Sequence, residues 1–212
     1  KAQSGVMVSC GEHVKIPGKG QKGQCRSAAK YNPSGTENAT LNALLAAHAN
    51  DMTKLEERFT PGCAESRQAI ADECDPDKHH RLTDIATAFG IAFTKAYVTQ
   101  PHKDGGFFEF IIFEWTSATP LPPGHEWLFA ANGRIYQLPT QEGELTMICV
   151  APGVYHSTLP TSSTEATVPH EGLGSAIFTK TELVKVLLKE KERLCEQQQQ
   201  QSGSGSSGSG SG

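Results

Sequence analysis

Leu41, Leu44, Leu45, His48, Met52, Leu55 and Phe59 recur at three- and four-residue spacing, which predicts one amphipathic helix over residues 41–59. Thr40 supplies an N-cap side chain, and Pro61-Gly62 ends the helix. A weaker helical pattern covers Glu65 to Cys74. Between Asp84 and Phe93 the periodicity changes, and Ile91–Val98 reads as a strand. Phe107–Trp115 is a second strand, beginning after Gly105-Gly106. Runs at 126–130 and 134–138 flank Asn132-Gly133, the dipeptide of a tight hairpin, and further strands are expected at 145–151 and 173–179. Thr181 caps a closing helix carrying Leu183, Val184, Leu187, Leu188 and Leu194.

The two ends lack such periodicity. Residues 1–35 are rich in Gly and Lys with one apolar run, Val6-Met7-Val8, and are expected to be a mostly irregular, flexible basic segment. Gln197–Gln201 and the Gly/Ser run to Gly212 form a low-complexity tail, 197–212, that is also expected to be flexible. The interval 36–196 is then one domain. Helices followed by many short antiparallel strands give an α+β class, with a sandwich or jelly roll flanked by N-terminal helices and one C-terminal helix.

A chain of 212 residues suits one domain plus tails, and 37% hydrophobic residues suffice for its core. The net charge of −4 argues against a protein that coats nucleic acid. The charge is uneven, however. Residues 1–35 hold Lys1, Lys15, Lys19, Lys22, Arg26 and Lys30 against Glu12 alone. This arm offers contacts to the phosphates of DNA or RNA; the plain alternative is a solvated tail. The six cysteines form no C-x-x-C pair and no zinc spacing, which fits a reduced, intracellular protein. Asn38-Ala39-Thr40 is a glycosylation sequon in form only, since no secretory segment precedes it. No apolar run approaches a membrane span. Oligomeric state is not legible.

His102-Lys103-Asp104 changes the picture most. In an extended segment, side chains two apart project to the same side, so this imidazole and carboxylate face one way. His156, after the strand-like 145–152 and a turn at Gly153, offers a second imidazole. Two histidines and one carboxylate on one face of a metal are the donor set of non-haem Fe(II) oxygenases. The bland alternative is an accidental H-x-D among eight histidines. The other histidines lack ligand-like spacing: His79-His80 lie in a polar stretch, and His48 falls on the helical stripe as a packing residue. A double-stranded β-helix is the jelly roll whose open end carries such ligands, so fold and donors agree.

His102-Lys103-Asp104, the hydrophobic strand, the Asn-Gly hairpin and the run from Glu142 through His156-Ser157-Thr158-Leu159-Pro160 together resemble the core of Fe(II)/2-oxoglutarate dioxygenases. The distal histidine followed by a small residue, Thr, any residue and Pro is similar to the TET/JBP group, which oxidises methyl groups on nucleic-acid bases. Within it the chain looks most like the divergent algal and fungal branch, where one algal member uses ascorbate on 5-methylcytosine. The resemblance covers about residues 90–180. It implies Fe(II) held by His102, Asp104 and His156, use of O2, a flipped-out base as substrate, and a nuclear location. Phe107, Phe108, Trp127 and Tyr155 are then the aromatics available for stacking, although aromatics in a β core are usually core.

One departure matters. The family places an Arg about ten residues beyond the distal His to hold the far carboxylate of 2-oxoglutarate, whereas Glu165, Ala166 and Thr167 occupy that place here. Lys180, with Arg134 second, is the substitute cation, since a carboxylate calls for one. Three outcomes stay open: 2-oxoglutarate held differently, ascorbate or another reductant, or a lost activity. Two other functions also stand. Pro152–His156 is loosely similar to a cupin motif, with Glu109 as its carboxylate and a small molecule or protein as substrate. A metal-free β-helix acting only as an interaction module is the non-enzymatic alternative.

Overall fold

A computed structural model describes residues 4–14, 25–27, 39–105, 111–119, 127–138, 141–158 and 172–203. The chain forms β1 (Ser4–Val14), β2 (Cys25–Ser27), α1 (Ala39–Phe59), α2 (Pro61–Cys74), β3 (Gly90–Val98), β4 (Ile111–Ser117), β5 (Trp127–Ala131), β6 (Arg134–Leu138), β7 (Leu145–Val150), β8 (Tyr155–Ser157), β9 (Gly172–Phe178) and α3 (Thr181–Gly203). The class is mixed α+β. Six strands form an antiparallel sheet in the order β2-β1-β3-β9-β4-β7, and three form a second, β6-β5-β8. The described residues contain no closed barrel. No helix among them is long and apolar enough to cross a membrane.

Strand alternation assigns the two faces of the larger sheet. Cys10, Ile91, Ile177, Ile112 and Cys149 are successive cross-strand neighbours through five strands. All five belong to the cluster that packs on Leu45, Ala49 and Met52 of α1. One residue out of phase, Trp115 meets Trp127 and Val150 between the two sheets. A third cluster joins α2 and α3 through Ala71, Phe89, Leu183, Val184 and Leu187. The order is therefore helix, large sheet, small sheet.

Several expectations are corrected. Ser4–Val14 is not irregular: it is a strand paired with β3 from Ser4↔Val98 to Gly11↔Gly90, so the domain extends before residue 36. Only glycine allows part of this approach, because at Gly5 (φ +84°) an added Cβ would lie 2.1 Å from the Ala96 carbonyl oxygen. The register shifts there and Ala96 has φ +50°, a bulge that brings Tyr97 to the inter-sheet side. Gln197–Gln201 continue α3 rather than forming a tail. Glutamine is a good helix former and nothing before the glycines interrupts it. Lys1, Lys15, Lys19, Lys22 and Lys30 of the basic arm lie outside the described residues. The Asn132-Gly133 hairpin forms as expected, with φ +52° and +72° and Ala131 opposite Arg134.

Helix α1 exists as expected but starts at Ala39, so Thr40 is inside it rather than capping it. Its buried face is also rotated. Leu45, Ala49, Met52, Thr53 and Glu56 are buried, while Leu44 is 64% and Phe59 60% exposed. His48 packs as expected, tilted against Phe93, with Nε2 3.0 Å from Ser175 Oγ and 3.3 Å from Glu114 Oε2. Leu45→Asp is therefore expected to cost about 3 kcal/mol or more, and Leu44→Asp about 0.5 kcal/mol or less. Equal shifts in thermal midpoint would refute this face.

Candidate metal centre

After β3 the chain crosses from the large sheet to the small one and runs antiparallel beside β8. Side chains tie this crossing down: Ser157 Oγ donates to Thr99 O (2.9 Å), Thr158 Oγ1 donates to Tyr97 O (3.0 Å), and Thr99 N–H donates to Thr158 Oγ1 (3.1 Å). The backbone then pairs reciprocally, His102 N–H to His156 O (3.0 Å) and His156 N–H to His102 O (2.9 Å). Gly153 N–H to Asp104 O (3.2 Å) extends the pairing. Directly opposed residues bring their side chains together, and the imidazole centroids are 4.3 Å apart. Asp104, two positions on, reaches both rings: Oδ2 lies 3.3 Å from His156 Nε2 and Oδ1 3.7 Å from His102 Nε2. One ligand atom from each residue falls within 4.8 Å of the others.

Backbone carbonyls fix which ring nitrogens face inward. His102 Nδ1 is 2.9 Å from Gln100 O, and His156 Nδ1 is 3.1 Å from Val154 O. A carbonyl only accepts, so each Nδ1 carries hydrogen and each Nε2 faces Asp104, where it holds either a proton shared with that carboxylate or, once deprotonated, a metal. Metal-binding histidines are oriented in this way. Donors bound at right angles with bonds of about 2.1 Å lie about 3 Å apart, close to the two spacings from Asp104 to the histidines. The residues thus fit a divalent metal held on one face by two nitrogens and a carboxylate.

His156 is buried, stacked on Trp127 (centroids 5.1 Å, 6° between planes) and tilted against Phe113 (5.2 Å). His102 and Asp104 are partly exposed, which gives the site an open side. The hydrogen bond from His156 holds the Asp104 carboxyl below its ordinary range, against the opposing effect of partial burial. The charges of His156, His102 and Lys180 act in the same downward direction. A carboxyl kept ionised in this way is ready to ligate.

A cavity of about 250 Å³ adjoins the triad between the sheets. Lys180, just beyond β9, is exposed at its wall, with Nζ 5.6 Å from the Phe178 ring. Arg134 is not at the wall. It is exposed at the start of β6, on the hairpin, so the alternation of that strand does not carry it inward. Tyr155 is 51% exposed beside Lys103, whose Nζ lies 4.4 Å from its ring centre, whereas Trp127 lines the cavity. Phe107, Phe108, Glu109 and Glu165–Thr167 lie outside the described residues. His79 and His80 use their backbone N–H groups on the Asp75 carboxylate, 2.9 Å each, away from the triad.

Sequence reading missed Gln100 and Val154, whose carbonyls orient the rings, because a backbone acceptor leaves no mark on residue type. It also missed Thr94 and Trp115 at the cavity wall. Counting alternate positions along the strands would have found both. No family model matches the chain, and no curated protein matches it in sequence.

Proposed function

We propose that this chain is a mononuclear Fe(II)-dependent dioxygenase that hydroxylates a C–H bond, with O2 and either 2-oxoglutarate or another reductant such as ascorbate. The carrying observation is the convergence of His102, Asp104 and His156 at the side of an inter-sheet cavity. A double-stranded β-helix fits the two facing antiparallel sheets, with residues 99–104 as a fourth segment of the smaller one. The resemblance to the TET/JBP group suggests a methylated nucleic-acid base as substrate.

His102 Nε2, His156 Nε2 and an Asp104 oxygen would hold the ion. When bound, ferrous iron supplies reductive activation of O2. The protein's own contribution is position and exclusion of water. Gln100 O and Val154 O fix the imidazole planes, and Trp127 with Phe113 closes the apolar side of His156. Lys180 offers a cation at the cavity wall, close enough to Asp104 to act on its charge.

The test is turnover of the full chain loaded anaerobically with Fe(II), then exposed to O2 with 2-oxoglutarate or ascorbate and 5-methylcytosine oligonucleotides. Mass spectrometry is expected to show one added oxygen on the base, lost in His102→Ala. Oxygen uptake that depends on a cosubstrate but leaves every oligonucleotide unchanged would remove the nucleic-acid substrate alone. No metal-dependent uptake with either cosubstrate would remove the dioxygenase reading.

A further inference from the structure

We propose that Cys63 and Cys149 are a redox-responsive modification site, at which a low-molecular-weight disulfide such as oxidised glutathione converts the two thiols into an intramolecular disulfide. The inference is independent of the metal centre and of the dioxygenase reading.

Both residues are thiols, and both are half-buried. They meet where α1 gives way to α2. Thr60 separates the two helices and touches both cysteines: its side chain is hydrogen-bonded to the Cys149 thiol, and its carbonyl accepts the Cys63 N–H (3.0 Å). Cys149 reaches this point from the other direction. It lies on β7, at one end of the strand order of the larger sheet, opposite Ile112 and on the face that packs against α1. Cys63 and Arg67 are one turn apart on the same side of α2, and both thiols are close enough to the Arg67 guanidinium to act on its charge.

The surroundings give the two thiols different roles. Burial chiefly pushes the Cys149 thiol above its ordinary range; Glu56 acts in the same direction, and Arg67 and Thr60 oppose it. A thiol held protonated is a poor first attacker. Cys63 lies in the first turn of α2, where the backbone N–H groups favour an anion. Cys63 is therefore the attacking thiolate and Cys149 the resolving thiol. Cys63 Sγ bonds to one sulfur of the oxidant, the oxidant's S–S bond breaks, and one glutathione thiolate leaves. Cys149 Sγ then attacks Cys63 Sγ and displaces the second glutathione thiolate. The two protons lost by the cysteines end on the two glutathiones, so one disulfide forms and one is reduced.

Closure needs Cα atoms roughly 4.4–6.8 Å apart, with the Cβ atoms turned toward each other. The start of α2 has room to adjust, because a Cβ built at Gly62 would meet no atom within 4 Å. The other cysteines are placed differently. Cys10 and Cys74 are buried, Cys195 is exposed on α3, and Cys25 lies on β2 at the opposite end of the strand order from β7. A disulfide at 63–149 would fasten α2 to the strand that leads through Gly153 to His156.

The test incubates the full chain with oxidised glutathione under native conditions, alkylates the remaining thiols, and maps the peptides by mass spectrometry. The expected product is a Cys63–Cys149 cross-link that dithiothreitol reverses and that raises the thermal midpoint. Cys149→Ser is expected to stop at a glutathione adduct on Cys63. Cys63→Ser is expected to react at Cys149 at least about ten-fold more slowly than the wild-type pair closes. The cross-link itself is read on the wild-type chain, so the test stands even where a variant fails to fold. A different pairing, only an intermolecular disulfide, or two thiols that remain open to alkylation throughout would overturn the inference.

Discussion

Asp104→Ala is expected to lower Fe(II) affinity more than about 100-fold while leaving the fold intact. The size follows from ligand chemistry. Losing a residue that merely orients a metal ligand costs 10–100-fold, and Asp104 would be the only carboxylate in the donor set. The structural cost is small because the side chain is 41% exposed and outside every apolar cluster. Its contact with His156 at 3.3 Å is a partly solvated one, worth at most about 1 kcal/mol. Equilibrium dialysis with anaerobic Fe(II), together with a thermal melt followed by circular dichroism, separates the two effects. Asp77→Ala, an exposed acid elsewhere, is the control. Wild-type Fe(II) affinity in Asp104→Ala would end the facial-triad reading.

The His102–Asp104 half of the triad was legible because its information is local. An H-x-D in extended chain puts both groups on one side, and the reciprocal pairing of His102 with His156 supplies the rest. The Asn132-Gly133 hairpin was legible for a similar reason, since its turn type is specified by two residues. Strand β1 was not: its partner β3 lies some eighty residues away, as in Val8↔Phe93, and the one continuous apolar run that marks it is Val6-Met7-Val8. In α1 the period was visible but the phase was not. Leu44 and Phe59 look like core residues, whereas Glu56 looks like surface. Burial of a charged residue depends on a partner, and Glu56 finds one on α2. Polarity alone therefore rotated the expected face toward Leu44. Lys180 and Arg134 differed for a geometric reason, because the end of β9 opens on the cavity and no residue of β6 lines it.

That partner gives the second large effect. Arg67 Nε meets Glu56 Oε1 at 2.6 Å, and both side chains are about 1% exposed. Burial chiefly pushes the Glu56 carboxyl above its ordinary range, while Arg67 pulls it down. Arg67→Ala removes the downward pull, leaves a carboxylate in the interior, and is expected to destabilise the fold by about 3–5 kcal/mol at neutral pH. The pH dependence has a definite sign. A carboxyl whose folded value is raised binds its proton more tightly when folded, so its stabilising contribution is complete below the unfolded value of about 4.3. That contribution is lost as pH climbs through the raised folded value. The variant's deficit relative to wild type should therefore shrink on acidification toward the ordinary carboxylate range and be largest above it. Glu56→Gln added to Arg67→Ala removes the buried charge and should recover part of the loss, most visibly at neutral pH. Urea unfolding of the single and double variants at several pH values reads all of this. A deficit that is independent of pH, or a double variant no more stable than Arg67→Ala, would show that packing of the Arg67 stem rather than its charge holds α1 on α2.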